Sequence, residues 1–551
     1  MNTFDFIIVG AGSAGCVLAN RLSADPSHRV LLLEAGRTDN MPYMSMPLAF
    51  RNMFTNPAID WGYVSEPEPY ADNRRLPVFR GKVLGGCSSV NGMLYARGHS
   101  RDYDEWRDMG LKGWGYEDVL PYFRRSECNW RGTSRFHGGE GLMGVSRHQG
   151  DAHLYDDLAR TAQRLGHRSV DNFHGEDQEG FGAPDFTVAK GRRASTSQAF
   201  LHPVRARHNL VVRTGCMTTR VLFKGHRAIG VEYIEHGQRH QVFTDREVIL
   251  SGGAFNSPQL LMLSGIGPAL SLRKHGIDVH LDLPGVGQSL QDHHSIRVEF
   301  AANGPIAFDS QLRYDRLARS VIQWKLFGTG PAAGLPVSGM LFYHSEVGLD
   351  RPDGQTLISP VAGHAKVWYP LVGKGVGHQL STANVCLRPD SKGHVQLRSA
   401  DPLAKPAIQF NLLQAESDRL FFRRAVRGMR EFFATQPAAR LVSHELVPGT
   451  TVQSDSEIDQ FVRSMIGTAF HPAGTCAMGL GADAVVDAGL SVHGIEGLRV
   501  ADASVMPRIV GGNTNAPVIM IAEKAADLIL CKPVSSVSKP ELITSPMGMN
   551  Q

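Results

Sequence analysis

At 551 residues the chain exceeds what one hydrophobic core organises, so two domains are the default. Its net charge is +4, and the basic residues are scattered in short pairs such as Arg74-Arg75, Arg192-Arg193 and Arg423-Arg424, which gives no stripe for nucleic acid. Seven cysteines, an odd number with no CxxC spacing, argue against a disulfide framework and a zinc site, and no HExxH spacing points to a metal.

The first predicted elements carry the strongest signal. Phe4-Asp5-Phe6-Ile7-Ile8-Val9 is an apolar run of strand length, and residues 16–22 can carry a helix. Between them lies Gly10-Ala11-Gly12-Ser13-Ala14-Gly15. Val30-Leu31-Leu32-Leu33 reads as a second buried strand ending in Glu34, 19 residues after Gly15. This is the dinucleotide fingerprint in its strand–turn–helix–strand context. The glycines let backbone approach a pyrophosphate, and the helix N-terminus offers it N–H donors. The Glu34 carboxylate can accept from an adenosine ribose hydroxyl. The fingerprint alone leaves flavin and nicotinamide dinucleotides both open. The early first strand leaves no room for a signal peptide, and no apolar run approaches 18 residues, so the location reads as cytoplasmic. Peripheral membrane contact stays open.

Residues 36–80, rich in Pro, Met and Asn, read as an extended connection. A second glycine-rich turn, Gly81-Lys82-Val83-Leu84-Gly85-Gly86-Cys87-Ser88-Ser89-Val90-Asn91-Gly92, leads into Met93-Leu94-Tyr95. Helical spacing follows at 118–125 and 153–165. Strands are predicted at 210–213, 220–223, 228–233 and 248–250. Ser257-Pro258 reads as a helix start, which predicts a helix over 259–264. Residues 300–450 alternate helical and strand-like stretches without a nucleotide signal and read as a separate substrate domain. Residues 498–502 form a strand ending in Asp502, followed by a helix from 517 to about 530. The Pro- and Ser-rich end of the chain reads as a flexible tail, placed at 536–551.

Four stretches together resemble the glucose–methanol–choline (GMC) oxidoreductases, a family of FAD flavoproteins. They are the N-terminal fingerprint, the turn from Gly81 to Asn91, the segment Gly253-Ala254-Phe255-Asn256-Ser257-Pro258 to Ser264-Gly265-Ile266-Gly267, and the blocks around His471 and Asn513. They span nearly the whole chain in the family's order. The second and third look like the family's two signature patterns. Cys87 departs from the usual Gly, Ser or Thr, as it does in the choline oxidases it resembles. The resemblance implies an α/β fold, with a Rossmann-like FAD-binding domain over 1–155, 205–298 and 465–535. It also implies a discontinuous α+β substrate-binding domain over 156–204 and 299–464.

FAD is the dinucleotide that the resemblance implies. Some members attach it through a histidine just before the turn's Asn; that position is Val90 here, so attachment is expected to be non-covalent. Contacts with FAD are expected at Gly10, Gly12, Ser13 and Gly15, and at Glu34 and Ala35. Others are expected at Gly86, Asn91 and Gly92, and at Val221, Asp502, Ala503, Asn513 and Thr514. Asn91 takes the family's place near the reactive ring edge, and Asp502 the place against the ribityl chain.

Oxidising an alcohol removes a proton from oxygen and a hydride from carbon. The proton needs a base whose pKa lies near working pH, which suits histidine. Phe470-His471-Pro472-Ala473-Gly474-Thr475 looks like the family's catalytic-histidine block. Gly511-Gly512-Asn513-Thr514-Asn515-Ala516-Pro517 places Asn513 where members carry a second histidine or an asparagine. An amide can hydrogen-bond the hydroxyl but cannot take its proton. The expected roles are therefore His471 as base and Asn513 as the group that orients the oxygen, with hydride passing to flavin N5. The expected activity is FAD-dependent oxidation of a primary alcohol, aliphatic or aromatic, to the aldehyde. Phe470, Val367 and Trp368 are the candidates for an apolar substrate lining. No acidic residue marks a site for a quaternary ammonium, which disfavours choline, although the overall pattern resembles bacterial choline, alkyl- and aryl-alcohol dehydrogenases and oxidases. Ala469, small and two residues before the base, leaves room near the flavin without deciding between oxygen and a quinone or other carrier as acceptor. The alternatives are a flavin-containing lyase of the hydroxynitrile-lyase kind and, on the fingerprint alone, a nicotinamide dehydrogenase.

Overall fold

A computed structural model describes residues 3–54, 56–147, 152–306 and 308–531. The tail expected at 536–551 lies outside them. Strand β1 (Thr3–Val9), helix α1 (Ser13–Leu22) and strand β2 (Val30–Glu34) open the chain as the fingerprint requires. A short strand β3 (Gly180–Gly182) precedes β4 (Leu210–Thr214), β5 (Cys216–Lys224), β6 (Arg227–Glu235) and the long β7 (Gln238–Leu250). Helix α2 (Gly253–Leu263) is followed by β8 (His294–Ala302), β9 (Gly339–Tyr343), β10 (Gly354–Ser359) and β11 (Gln379–Cys386). Helix α3 (Glu416–Ala434), β12 (Val442–Val447), β13 (Gly467–Thr468), β14 (Leu498–Val500) and helix α4 (Asn515–Ile529) complete the framework.

The first sheet has the order β4-β2-β1-β7-β6-β5, with β14 paired to β7. β1 runs parallel to β2 and β7, and β7 runs parallel to β14. All five residues of β2 are buried, which is why it reads as a continuous apolar run. The carboxyl ends of β1, β2, β7 and β14 point the same way. They deliver Gly10, Glu34, Ser251 and Asp502 to one crevice, where open α/β sheets place their ligands.

The second sheet, β12-β8-β11-β10-β9-β3, is antiparallel, with β13 added to β8. Strand alternation gives β8 two faces. Ile296, Val298 and Phe300 join a core with Phe421, Phe422, Val426, Met429 and Phe433 of α3. Ser295, Arg297 and Glu299 take the opposite face.

The observed elements shift three expected boundaries. The cut at 155/156 falls inside a helix (Ala152–Arg164) whose Leu154, Leu158 and Ala162 belong to the second core. The cut at 298/299 falls inside β8, where His293 and His294 mask the strand's start. β13 lies within the expected FAD segment but pairs with the second sheet. The expected connection over 36–80 also contains a helix (Phe50–Phe54) and a two-stranded sheet of Tyr63–Val64 and Pro77–Val78.

Helix α2 begins at Gly253 rather than beside Pro258, so Pro258 sits inside it. A proline there cannot donate to the carbonyl four residues earlier. Thr475 Oγ1 replaces that donor, giving its proton to the Ala254 carbonyl at 2.6 Å. Asp502 Oδ2 accepts from Gly253 N–H at 2.9 Å and from Ser257 Oγ at 2.6 Å, which ties the first turn to the end of β14. Partners more than 200 residues away thus extend a helix that local signals would start late. Thr475→Val leaves the Ala254 carbonyl buried and unpaired, and is expected to lower stability by about 1–3 kcal/mol. The check is the urea midpoint of Thr475→Val against Thr475→Ser; equal midpoints would contradict this role.

Candidate active site

One cavity runs from the sheet ends of the first core to the open face of the second sheet. Its dinucleotide end is built by two glycine-rich turns. Gly10 has φ +99°, and a Cβ there would stand 2.6 Å from the Ser251 carbonyl oxygen. A Cβ on Gly12 would meet nothing nearer than 3.9 Å, so Gly12 opens to the cavity. Gly86, at φ +51°, packs against it: a Cβ on Gly86 would lie 2.8 Å from Gly12 Cα. Gly85 N–H donates to the Ala11 carbonyl at 2.7 Å and locks the turns together. Gly15 does not line the cavity; a Cβ there would come within 1.9 Å of Gly10 O, so this glycine permits close helix–strand packing.

Ser13 Oγ donates to Asn515 Oδ1 at 2.7 Å at the start of α4. Asn515 lines the cavity, and its buried Nδ2 has no partner. Glu34 accepts from Ala11 N–H at 2.8 Å and from Gly36 N–H at 2.7 Å. Burial pushes its carboxyl up to about 7, against the pull of those two N–H groups. Each oxygen still has a lone pair for a hydroxyl donor. Glycine turns open to the cavity, an unpartnered amide at a helix start and a carboxyl at the adjoining strand end fit a bound dinucleotide.

Ala35, Gly92, Asn91, Ala503, Asn513 and Thr514 line the cavity with Gly86 and Asp502. Asn91 Oδ1 accepts from Met93 N–H at 3.0 Å and from Arg193 Nη1 at 2.9 Å, so it fixes its own turn as well. Asp502 Oδ1 accepts from Ser504 N–H at 2.8 Å and caps a short turn. Besides Gly15, three expected contacts lie elsewhere. Val221 is buried in the core, with its N–H donated to Ser264 Oγ, while Cys216, Met217 and Thr218 line the cavity instead. A bulge between Thr218 and Arg220 interrupts the strand's alternation, and beyond it Val221 packs into the core. Val367 and Trp368 are also off the cavity: Val367 is exposed, and Trp368 Nε1 donates to the Asp309 carbonyl at 3.2 Å.

At the other end stand His471 and Asn513. Asn513 Nδ2 lies 3.1 Å from His471 Nε2, and His471 Nδ1 lies 2.9 Å from His293 Nδ1. Gln355 Nε2 donates to Asn513 Oδ1 at 3.4 Å, which orients the amide with Nδ2 toward the imidazole. An amide nitrogen only donates, so Nε2 of His471 accepts, and its proton sits on Nδ1 facing His293. Burial holds the His471 imidazole well below its ordinary range, with His293 and Arg80 adding to the effect. Burial, then Arg388, pushes His293 down to about 3.

The supports are specific. His471 N–H donates to Asp292 Oδ1 at 2.8 Å. Phe470 has φ +64°, and Arg80 Nη2 holds its carbonyl. The loop carrying Asn513 is anchored by Gly511 N–H to Asp102 Oδ2 at 2.7 Å, and Arg388 Nη1 pairs with Asp102 Oδ1 at 2.6 Å. Phe54, Phe79 and Phe470 form an aromatic group with centroids 5.2–5.8 Å apart, and all three line the cavity. Sequence reasoning missed His293, Asp292, Arg80 and Gln355. The run Gln291-Asp292-His293-His294, polar and immediately before an alternating strand, was the available signal. Among the described residues no group of three His, Cys, Asp or Glu is placed to hold a metal ion, and no helix is long and apolar enough to cross a membrane.

Comparison with known proteins gives matches along most of the chain. The N-terminal GMC oxidoreductase model matches residues 4–295 and the C-terminal one matches 389–522. Mitochondrial choline dehydrogenase of Mus musculus is 45% identical over 540 residues, covering 96% of this chain and 89% of that protein. Oxygen-dependent choline dehydrogenase of Brucella canis is 43% identical over 529 residues, covering 96% and 95%. The solved structure of pyridoxine 4-oxidase from Mesorbium loti superposes with a TM-score of 0.85 at 30% identity, covering 95% of this chain and 98% of that one. The fold and site define an FAD-dependent alcohol dehydrogenase or oxidase. The chain belongs to the GMC oxidoreductase family.

Gly86→Ala forces a side chain into the left-handed region, costing about 1–2 kcal/mol, and drives it against Gly12. It is expected to retain FAD roughly 10-fold less tightly. Gly132, also at positive φ but with open space around it, is the control: Gly132→Ala keeps its flavin. The check is flavin absorbance per mole of protein after gel filtration; full retention by Gly86→Ala would contradict the assignment.

Proposed function

We propose that this enzyme oxidises a primary alcohol, aliphatic or aromatic, to the aldehyde, with His471 as the base and Asn513 as the orienting group. The observation that carries this reading is the pairing of an accepting imidazole Nε2 with a donating amide Nδ2, 3.1 Å apart on the cavity wall. A carbinol oxygen entering between the two displaces their mutual hydrogen bond, accepting from Asn513 Nδ2 and donating its proton to the freed lone pair of His471 Nε2. The two roles are not interchangeable, because the amide has no basic nitrogen. Bound FAD supplies the two-electron acceptor for the hydrogen on the adjacent carbon.

His293 fixes the imidazole through Nδ1, and Asp292 fixes its backbone. Phe54, Phe79 and Phe470 keep that end of the cavity apolar, which favours an alcohol with a hydrophobic body. Val90 lines the cavity and offers no nucleophile, which supports non-covalent FAD. The two sheets support division into an FAD-binding half and a substrate-binding half. The electron acceptor is oxygen or a quinone-like carrier, and the Brucella canis relative, named as oxygen-dependent, supports the first.

A positioned general base contributes roughly 10²–10⁴-fold. His471→Ala is therefore expected to keep its flavin and to be reduced more slowly by that factor. Anaerobic stopped-flow absorbance with a panel of primary alcohols is the check; flavin reduction at the wild-type rate would overturn the assignment.

A further inference from the structure

We infer that the alcohol taken by this site carries an anionic group, a carboxylate for example, and that Arg297 holds it. The inference deepens the alcohol-oxidation reading and rests on it.

The second sheet presents its open face to the cavity in rows. In the first row Ser295 lies opposite Val385, and Val385 opposite Gln355, the residue bonded to Asn513. The second row is Arg297, Ala383 and Leu357. All six residues line the cavity. Two residues of strand separate the rows, or about 7 Å. A substrate whose hydroxyl meets His471 and Asn513 therefore extends along this wall toward Arg297.

Arg297 has no ion pair within 4 Å and no side-chain hydrogen bond among the described residues. Its side chain opens into the cavity instead. The charges around it are two. Glu299, next on the same face, is already engaged: its Oε1 accepts from Gly363 N–H at 2.9 Å and from Ser381 Oγ at 3.1 Å. Arg51 donates to the carbonyls of Ala362 and Gly363 and adds a second positive charge nearby. The surrounding protein lowers Arg297 below the usual guanidinium range, with Glu299 opposing, while the side chain itself stays exposed to the open cavity. The carboxylates that line the cavity, Glu34 and Asp502, are both at the dinucleotide end. A guanidinium with free donors in an apolar-walled cavity is suited to a bidentate carboxylate. The same charge repels a quaternary ammonium, so the substrate class differs from that in the names of the choline dehydrogenase relatives.

The test uses the FAD-loaded enzyme. Flavin reduction is measured with ω-hydroxyalkanoates of three to six carbons, each against the 1-alkanol of equal length, and with choline. At least one hydroxyalkanoate is expected to exceed its alkanol in kcat/KM by roughly 10²-fold. Arg297→Gln is expected to abolish that ratio, and Arg297→Lys to restore part of it. Absence of any preference, a preference for choline, or a preference surviving in Arg297→Gln would overturn the inference. Butanoate titration, followed by the flavin spectrum, reads Arg297 without turnover: binding is expected to weaken by a similar factor in Arg297→Gln, and equal binding would overturn the inference. If His471→Ala is reduced at the wild-type rate, the reading of the base fails separately, and the butanoate result still decides the role of Arg297.

Discussion

The hydrogen bond between Asn513 Nδ2 and His471 Nε2 decides what this cavity can do. It leaves a lone pair, rather than a proton, on the nitrogen that faces the substrate space. The rest of the reactive end maintains that state. His293 takes the Nδ1 side, Asp292 fixes the peptide before the ring, and Arg80 holds the Phe470 carbonyl in a left-handed turn. Asp102 and Arg388 hold the glycine loop that brings Asn513 into place. Burial then keeps the ring neutral, because charging an imidazole away from water is costly. As the proposed base, the ring is weaker than a free histidine but is neutral over a wider range of pH.

The cofactor end depends on a close approach of two turns far apart in sequence. Gly12 and Gly86 leave no room for a side chain between them, and Gly85 bonds to Ala11. Glu34 closes the same group by accepting from Ala11. The parallel strands set this arrangement, since the carboxyl ends of β1, β2, β7 and β14 all meet there. Asp502 serves both the cavity and the first turn of α2, so the dinucleotide site and the core share one carboxylate.

Local signals were legible wherever the physics is local. The fingerprint, β2 and Glu34 follow from apolar runs and glycines within 35 residues, and the His471 and Asn513 blocks from their motifs. What the sequence hid is set by distant partners. The start of α2 depends on Thr475 and Asp502, and β5 carries a bulge after Thr218, so Cys216 to Thr218 line the cavity while Val221 is in the core. Trp368 was a reasonable aromatic candidate, but its indole satisfies the Asp309 carbonyl away from the cavity. His293 and Arg80 carry no motif of their own and gain meaning only beside His471. Arg297 reads as a solvated strand residue until the sheet places it on the cavity wall.

Family membership fixes the fold and the redox chemistry; on the proposed reading the alcohol is chosen by the wall facing His471 and Asn513. On that reading the wall works only if the alcohol takes over the Nε2 lone pair of His471 that Asn513 occupies here. The pH dependence of anaerobic flavin reduction at saturating alcohol tests this most directly. If His471 is the base, its neutral imidazole is the active form, and burial lowers its pKa, so the rate is expected to hold as pH falls through 6.5 and to decline only well below it. A decline centred at or above the ordinary histidine value would contradict a buried, amide-bonded, neutral base.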